Sequence, residues 1–191
     1  MLMTVACVLR SGGLYTPEHV ERLKRSVAAN MGPHRFVCLS DVAVPCERIL
    51  LEDDLPGWWS KIELFRPGLF DGPVLYLDLD VLVLGDLSPL FAKRFTITRD
   101  WWGGGYQSSV MSWGEPTGFY EAFRPEHMEM AGGDQAFLEK VAPTARIYPD
   151  GLVVSYKAHC ANGPPLDSRV VCFHGRPKQW DVMDEWVQAA Y

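Results

Sequence analysis

Short apolar runs alternate with an amphipathic stretch along the first forty residues. Residues 3–9 and 36–39 are almost entirely apolar, which predicts two buried β-strands. Between them, Thr16 and Pro17 are typical of a helix N-cap and of the first helical position. The apolar face of this helix comprises Val20, Leu23 and Val27. This order of strand, helix and strand predicts an α/β fold with a parallel, doubly wound sheet.

Two carboxylates interrupt an otherwise apolar run at residues 74–84. If one strand runs through it, Asp78 and Asp80 project to the same side, because residues i and i+2 of a strand share a face. Two close anions need a cation or a shared proton, and oxygen ligands favour Mg²⁺ or Mn²⁺. The alternative is a strand that ends at Leu77, with both carboxylates solvated in the following turn.

Weaker patterns predict the remaining elements. We expect helices at 58–65, at 119–123 and after Asp134, a last helix capped by Asp181, a short helical turn at 88–89, strands at 95–98, 106–113, 146–148, 152–156 and 170–173, and an irregular stretch at 43–56.

Several polar residues follow the predicted strands. Ligands of a doubly wound sheet bind beyond the carboxyl ends of its strands, so we expect Arg10, Tyr15 and Asp41 on the ligand side. Lys61 lies on the helix before the acidic run. It is either a solvated surface lysine or a contact for a phosphate group.

Two further candidates each have a structural and a functional interpretation. His174 follows the predicted strand at 170–173, beside Gly175 and near Lys178, and is either a structural histidine or a ligand. Neutral imidazole is an acceptable ligand for Mn²⁺. Asp134 is either the N-cap of its helix or a catalytic carboxylate.

Glycine and tryptophan residues suggest contacts with a ligand. Three consecutive glycines at 103–105 allow close approach of the backbone to a ligand or form a flexible loop. The chain has seven tryptophans, most of which we expect in the core. Trp101, Trp102 or Trp180 would suit a stacking surface for a sugar ring.

Composition excludes several classes of protein. The 191 residues suit one domain, and 48% hydrophobic with 22% charged residues is typical of neither disordered nor membrane proteins. A net charge of −6 argues against nucleic acid as a partner. The N-terminus resembles neither a signal peptide nor a transmembrane segment, so we expect a cytoplasmic protein. The five cysteines form no CxxC pair, and we expect free thiols.

Taken together, the motifs resemble glycosyltransferase family 8, the glycogenin-like enzymes with the GT-A fold. Four segments occur in the family's order: the lysine helix with the DxD strand at 61–65 and 74–83, the sugar-contacting segment at Asp100 and 106–111, the DQ motif at 133–135, and the HGxxKxW motif at 173–180. The resemblance implies a single GT-A-like, Rossmann-related domain over residues 1–191, with a mostly parallel mixed sheet flanked by helices.

The resemblance also implies a reaction. The enzyme would transfer a hexose-type sugar from a nucleotide-sugar donor, with retention of anomeric configuration and with manganese (Mn²⁺, or Mg²⁺) as cofactor. The resemblance implies that Asp78, Asp80 and His174 bind the metal and that Lys61 and Lys178 contact phosphate. Asp100 and Asp134 would contact the donor sugar, Gln135 would lie near the anomeric carbon, and Asp134 and Gln135 are the expected catalytic residues. The remaining expected substrate-binding residues are Arg10, Tyr15, Gln107, Ser108 and Gly175. The acceptor is a saccharide, a protein or a lipid-linked group.

One segment departs from the family pattern, and two rival functions stay open. The family has Asn-Ser-Gly where this chain has Gln107, Ser108 and Ser109, so the donor sugar is not fixed by the resemblance. The first rival is a non-catalytic module that binds nucleotide sugars. The second is a phosphatase resembling the haloacid dehalogenases, in which Asp78 would be the nucleophile.

Overall fold

Two β-sheets organise the chain. The computed structural model describes residues 2–191. The strands are β1 (Thr4–Leu9), β2 (Arg35–Ser40), β3 (Glu47–Leu50), β4 (Val74–Leu77), β5 (Val81–Val83), β6 (Thr96–Arg99), β7 (Tyr106–Trp113), β8 (Arg146–Ile147), β9 (Val153–Ser155) and β10 (Val170–Cys172). The α-helices are α1 (Pro17–Asn30), α2 (Phe119–Ala122), α3 (Gly133–Val141), α4 (Tyr156–His159) and α5 (Glu185–Ala190). Four 3-10 helices lie at Gly57–Phe65, Ser88–Leu90, Pro125–Glu129 and Gln179–Asp181.

The large sheet has seven strands in the order β3-β2-β1-β4-β7-β6-β8. Strand β7 runs antiparallel to both of its neighbours, β4 and β6, and the other neighbouring pairs are parallel. A small sheet has the order β5-β10-β9, with β10 antiparallel to β5 and parallel to β9. The expected α/β fold with a mostly parallel mixed sheet flanked by helices is confirmed.

Strand β1 lies between β2 and β4 and is buried on both faces. Val5 and Cys7 belong to one hydrophobic core, whereas Ala6 belongs to the core on the opposite face, as the alternation of side chains along a strand requires. Helix α1 covers the first face with its predicted apolar residues, Val20, Leu23 and Val27. The 3-10 helix Gly57–Phe65 and α3 cover the second face. Burial on both faces explains why β1 is almost entirely apolar.

The predicted continuous strand over residues 74–84 is wrong. Strand β4 ends at Leu77 in the large sheet, and β5 pairs with β10 in the small sheet. The alternative is also incomplete, because Asp80 is buried rather than solvated. The chain leaves one sheet and enters the other across Asp78, Leu79 and Asp80, and apolar patterning alone does not reveal such a change of sheet.

Other predicted boundaries shift by a few residues. The stretch predicted to be irregular contains the edge strand β3, whose side chains are mostly exposed and give no apolar signal. Asp134 lies inside the first turn of α3, and Gly132 is the N-cap. Asp181 ends a 3-10 helix, so the last helix begins after Asp184 instead. Within residues 2–191, no helix is both long enough and apolar enough to cross a membrane.

A buried glutamate attaches residues 52–53 to the 3-10 helix Gly57–Phe65. The carboxylate of Glu63 accepts hydrogen bonds from the backbone N–H groups of Glu52, at 2.6 Å, and Asp53, at 3.2 Å. Arg66 Nη1 lies 3.7 Å from the same carboxylate. Because the side chain is fully buried, these partners replace all of its contacts with water.

We expect Glu63→Ala to lower the free energy of unfolding by about 1–3 kcal/mol, because two backbone donors lose their acceptor and Arg66 loses a neighbouring carboxylate. Urea denaturation followed by circular dichroism measures the loss. Glu52→Ala is the matched control, since that side chain is mostly exposed and pairs with the same arginine; its effect should stay below about 0.5 kcal/mol. Equal losses in both variants would contradict the assignment.

Candidate functional site

A cavity of about 800 Å³ opens at the carboxyl ends of β1 and β4. It is lined by the end of β1 and the loop that follows it, the 3-10 helix Gly57–Phe65, the turn after β4, the start of β7, the N-terminus of α3 and the turn after β10. The predicted residues that line it are Arg10, Tyr15, Lys61, Asp78, Asp80, Gln107, Ser108, Asp134, Gln135, His174 and Gly175. The volume lies in the upper part of the usual range for small-molecule sites.

The change of sheet directs both acidic side chains into the cavity. The Asp78 N–H donates to Ser109 O at 2.9 Å, which extends the pairing of β4 with β7. The Phe173 N–H donates to Asp80 O at 3.0 Å, beside the first residues of the small sheet. Leu79 packs into the core between them. Asp78 and Asp80 therefore share the opposite side, as they would in a regular strand.

Lys61 joins Asp78 to the N-terminus of α3. Its Nζ lies 3.0 Å from Asp78 Oδ1 and 3.4 Å from Asp134 Oδ2, and it donates to Ser108 Oγ at 3.1 Å. Ser108 in turn donates to Asp134 Oδ2 at 2.7 Å. Tyr76, from β4, donates a short hydrogen bond to Asp78 Oδ1. These contacts join four elements around one ammonium group.

A second ammonium group neutralises Asp80. Lys178 Nζ donates to Asp80 Oδ2 over a short distance and to Phe173 O at 2.9 Å. Tyr15 donates to the same carboxylate oxygen at 2.8 Å. Both Lys178 and Asp80 are buried, so the pair is poorly screened by water. The DxD and HGxxKxW segments, 98 positions apart, meet here.

Burial and charge shift the ionisation of this network. Burial, together with the nearby Asp78, raises the pKa of Asp80, and Lys178 opposes that shift. Burial lowers the pKa of Lys61, but the carboxylates of Asp134 and Asp78 outweigh it, and its pKa stands above the ordinary lysine value. Burial and the neighbouring carboxylate also raise the pKa of Tyr15, so its hydroxyl keeps the proton that it donates.

His174 is held by a stacked ring and a hydroxyl group. Its ring stacks on Trp101 with centroids 5.2 Å apart, and its Nε2 lies 2.7 Å from Ser155 Oγ. Burial and the nearby Lys157 lower its pKa, which favours neutral imidazole at pH 7. As the side chains stand, no three His, Cys, Asp or Glu groups among residues 2–191 lie close enough together to hold a metal ion. The metal site therefore stays a prediction.

Some of the expected ligand contacts lie outside the cavity lining. Lys178 is one of them, although it binds Asp80, which lines the cavity. The Asp100 carboxylate accepts hydrogen bonds from the backbone N–H groups of Trp102, at 3.1 Å, and Gly103, at 2.8 Å, so it organises the glycine-rich loop. Trp102 is 65% exposed beside it. Trp180 packs against His19 instead, with centroids 4.9 Å apart. Asp41 binds Ser11 and lies 3.4 Å from Arg10, so it orients a residue of the lining.

Tyr76 and Trp58 line the cavity, and sequence reasoning did not single out either as a site residue. Tyr76 precedes Asp78 by two positions and therefore projects to the same side of the strand. That periodicity was a usable signal. Trp58 is followed by Trp59, which is buried, and the sequence alone does not tell which of the two faces the cavity.

The comparisons with known proteins agree with this architecture. No family model and no curated protein sequence matches the chain. Solved structures do match. An active-site mutant of LgtC superposes with a TM-score of 0.71 at 13% identity, over 97% of this chain and 93% of that one. The galactosyltransferase LgtC with donor and acceptor sugar analogues gives 0.69 at 15% identity, over 98% and 92%. The chain has the GT-A glycosyltransferase fold.

A second solved glycosyltransferase has the same fold within a longer chain. The apo form of GlyE from Streptococcus pneumoniae TIGR4 superposes with a TM-score of 0.73 at 14% identity. The match covers 99% of the present chain but only 59% of GlyE. At identities of 13–15% the likeness concerns the fold alone. Within that fold, the cavity lies at the carboxyl ends of β1 and β4.

We expect Lys61→Met to lower the free energy of unfolding by about 2–4 kcal/mol, because Asp78 and Asp134 lose the cation between them. Urea denaturation at several pH values measures the effect. The pKa of Lys61 is higher in the folded protein than in the unfolded chain, where it is near 10.4. The stability that this difference contributes is fully present below the unfolded-state pKa and is lost as the pH rises through the folded-state pKa. The loss should therefore be constant between about pH 6 and pH 9.

Arg25→Ala provides the control, because its contact with Glu21 is 3.9 Å long and exposed. That variant should change stability by less than about 0.5 kcal/mol. A Lys61→Met protein as stable as the Arg25→Ala protein would show that the central ammonium does not hold the site together.

Proposed function

We propose that this protein is a glycosyltransferase that transfers a hexose-type sugar from a nucleotide-sugar donor, with retention of configuration. The observation that carries the proposal is the convergence of Asp78, Asp80 and Lys61 in the lining of a cavity in a GT-A fold, with Lys178 bound to Asp80. A diphosphate needs cations, and the site supplies two buried ammonium groups and two carboxylates able to recruit a third cation. The four motifs in register support membership of family 8.

Asp78, Asp80 and His174 would hold Mn²⁺ or Mg²⁺. All three line the same cavity, and two carboxylates with a neutral imidazole form a donor set that suits Mn²⁺. Lys178 and Lys61 contact the two carboxylates from the side of the protein. When bound, the metal ion would stabilise the charge of the departing nucleoside diphosphate.

The chain's own residues bind and orient the donor. Lys61 and Lys178 are placed to donate hydrogen bonds to phosphate oxygens once these compete for their ammonium protons. Ser108 and Asp134 lie side by side and are suited to bind sugar hydroxyl groups. Gln135 follows on the same helix turn and lines the cavity, which suits a position near the anomeric carbon. Arg10 and Tyr15 also line the cavity, and Tyr15 donates a hydrogen bond to Asp80.

The observations bear differently on the two alternative functions, the phosphatase and the non-catalytic module. The similar solved structures are glycosyltransferases, and they give the phosphatase alternative no support. A non-catalytic module would use the same cavity. In the segment that departs from the family, Gln107 Oε1 accepts the backbone N–H of Ser109 at 2.6 Å, so this oxygen is already engaged. Turnover distinguishes the module from the enzyme.

The proposal is tested by thermal unfolding with a panel of nucleotide sugars, with and without Mn²⁺. A ligand that binds the native state only raises the melting temperature, by the equivalent of about 2.7 kcal/mol at a hundredfold excess over Kd. Asp80→Asn should abolish the increase that depends on Mn²⁺. Release of nucleoside diphosphate from the best donor is then measured directly.

Asp167→Asn serves as the matched control, because that carboxylate is exposed and away from the cavity. It should keep the full shift. Circular dichroism checks that both variants fold. An unchanged shift in Asp80→Asn would remove Asp80 from the metal site, and binding without release of diphosphate would favour the module.

A further inference from the structure

One large apolar side chain at the cavity is left mostly uncovered. Trp58 lines the cavity and is 59% exposed, whereas its neighbour Trp59 is 5% exposed and packs in the core against Phe123. Leu14, 47% exposed, and Met130 line the cavity as well. Isolated exposed apolar residues are ordinary, but exposed apolar residues that line a cavity are typical of a binding site.

The position of Trp58 is set by a glycine of α3. Gly133 has φ +62°, and a Cβ atom there would lie 2.6 Å from Trp58 Nε1. The pyrrole edge of the indole therefore lies directly against the backbone at the start of α3. A side chain at position 133 would push the ring away. The close contact fixes the indole beside Asp134 and Gln135 while most of the residue stays exposed.

The order of chemical groups in a nucleotide sugar indicates which of them the indole of Trp58 would contact. In such a donor the diphosphate separates the sugar from the nucleoside. Under the proposed function, the phosphates lie at the lysines and acidic residues, and the reacting carbon lies near Gln135. A ring next to Gly133 is therefore at the sugar end of the donor, away from the base. The group that approaches that end is the acceptor.

The exposed indole of Trp58 has the chemistry that stacks against a sugar ring. The faces of an aromatic ring carry negative charge density, and the C–H bonds on one face of a pyranose carry partial positive charge. Met130 and Gly132, which precede Gly133 in the chain, also line the cavity and carry no charge. A neutral sugar ring would thus stack on the indole through these C–H bonds.

We propose that Trp58 forms an acceptor subsite that stacks the pyranose ring of a neutral saccharide in the cavity. The inference rests on the proposed function, and it selects the saccharide among the acceptor classes left open by the sequence. Gly133 is a positioning residue for the subsite. The sugar would present one hydroxyl group toward the donor's anomeric carbon.

The experiment uses two probes, methyl β-D-glucopyranoside and methyl β-D-galactopyranoside. Saturation-transfer NMR measures their binding to the wild type, Trp58→Ala, Trp58→Phe and Trp102→Ala. Trp102 is a matched control, because it is equally exposed and does not line the cavity. Kinetic assays measure the KM of the glycoside in transfer, and the KM of the nucleotide sugar in hydrolysis without acceptor.

We expect Trp58→Ala to lose the NMR signal of the bound glycoside and to raise its KM about tenfold, a typical effect of losing an aromatic stack. Trp58→Phe should retain most of the binding, and Trp102→Ala should behave as the wild type. The KM of the nucleotide sugar in hydrolysis should stay within about twofold in all variants.

The subsite would be overturned if the wild type gave no glycoside signal, or if wild type and Trp58→Ala gave equal signals. It would also be overturned if Trp58→Ala lost only donor binding, because the nucleobase would then stack on the indole. Failure of the proposed function looks different. The glycoside would then bind through Trp58 while no nucleotide sugar was cleaved.

Discussion

The site depends on the neutralisation of two neighbouring carboxylates that line one cavity. Asp78 and Asp80 lie one residue apart on the same side of the chain, and each meets an ammonium group. Without those partners the two anions would repel each other, and the buried Asp80 would be costly to desolvate. The lysines come from distant segments, so the requirement for charge balance ties the 3-10 helix Gly57–Phe65 and the turn after β10 to the end of β4.

The architecture explains how these groups meet. The two sheets share the short connection between β4 and β5, and β10 closes the small sheet beside it. Strand β7, the antiparallel member of the large sheet, begins at the cavity and places Ser108 between Lys61 and Asp134. The antiparallel strand β7 thus contributes side chains from its amino end, whereas the parallel strands β1 and β4 contribute side chains from their carboxyl ends. The cavity is lined by both kinds of strand end.

Much of this could be predicted from sequence, and the exceptions have physical causes. The apolar runs located β1, β2, β7 and α1 closely, because burial on one or both faces leaves a clear periodic signal. Edge strand β3 was missed because its exposed side chains carry no such signal. The change of sheet at Asp78 was missed because two consecutive buried strands look like one apolar run. The grouping of site residues followed from topology and motif order, whereas the exposure of Trp58 depends on a tertiary contact with Gly133.

The large sheet is complete at Ile147, yet Asp80 finds its ammonium partner only at Lys178. During synthesis, the main body of the domain therefore emerges from the ribosome with one acidic side chain still uncompensated. The ammonium group arrives only with the turn that follows β10, so a later part of the chain completes the charge balance of the cavity after the strands of the large sheet have been synthesised.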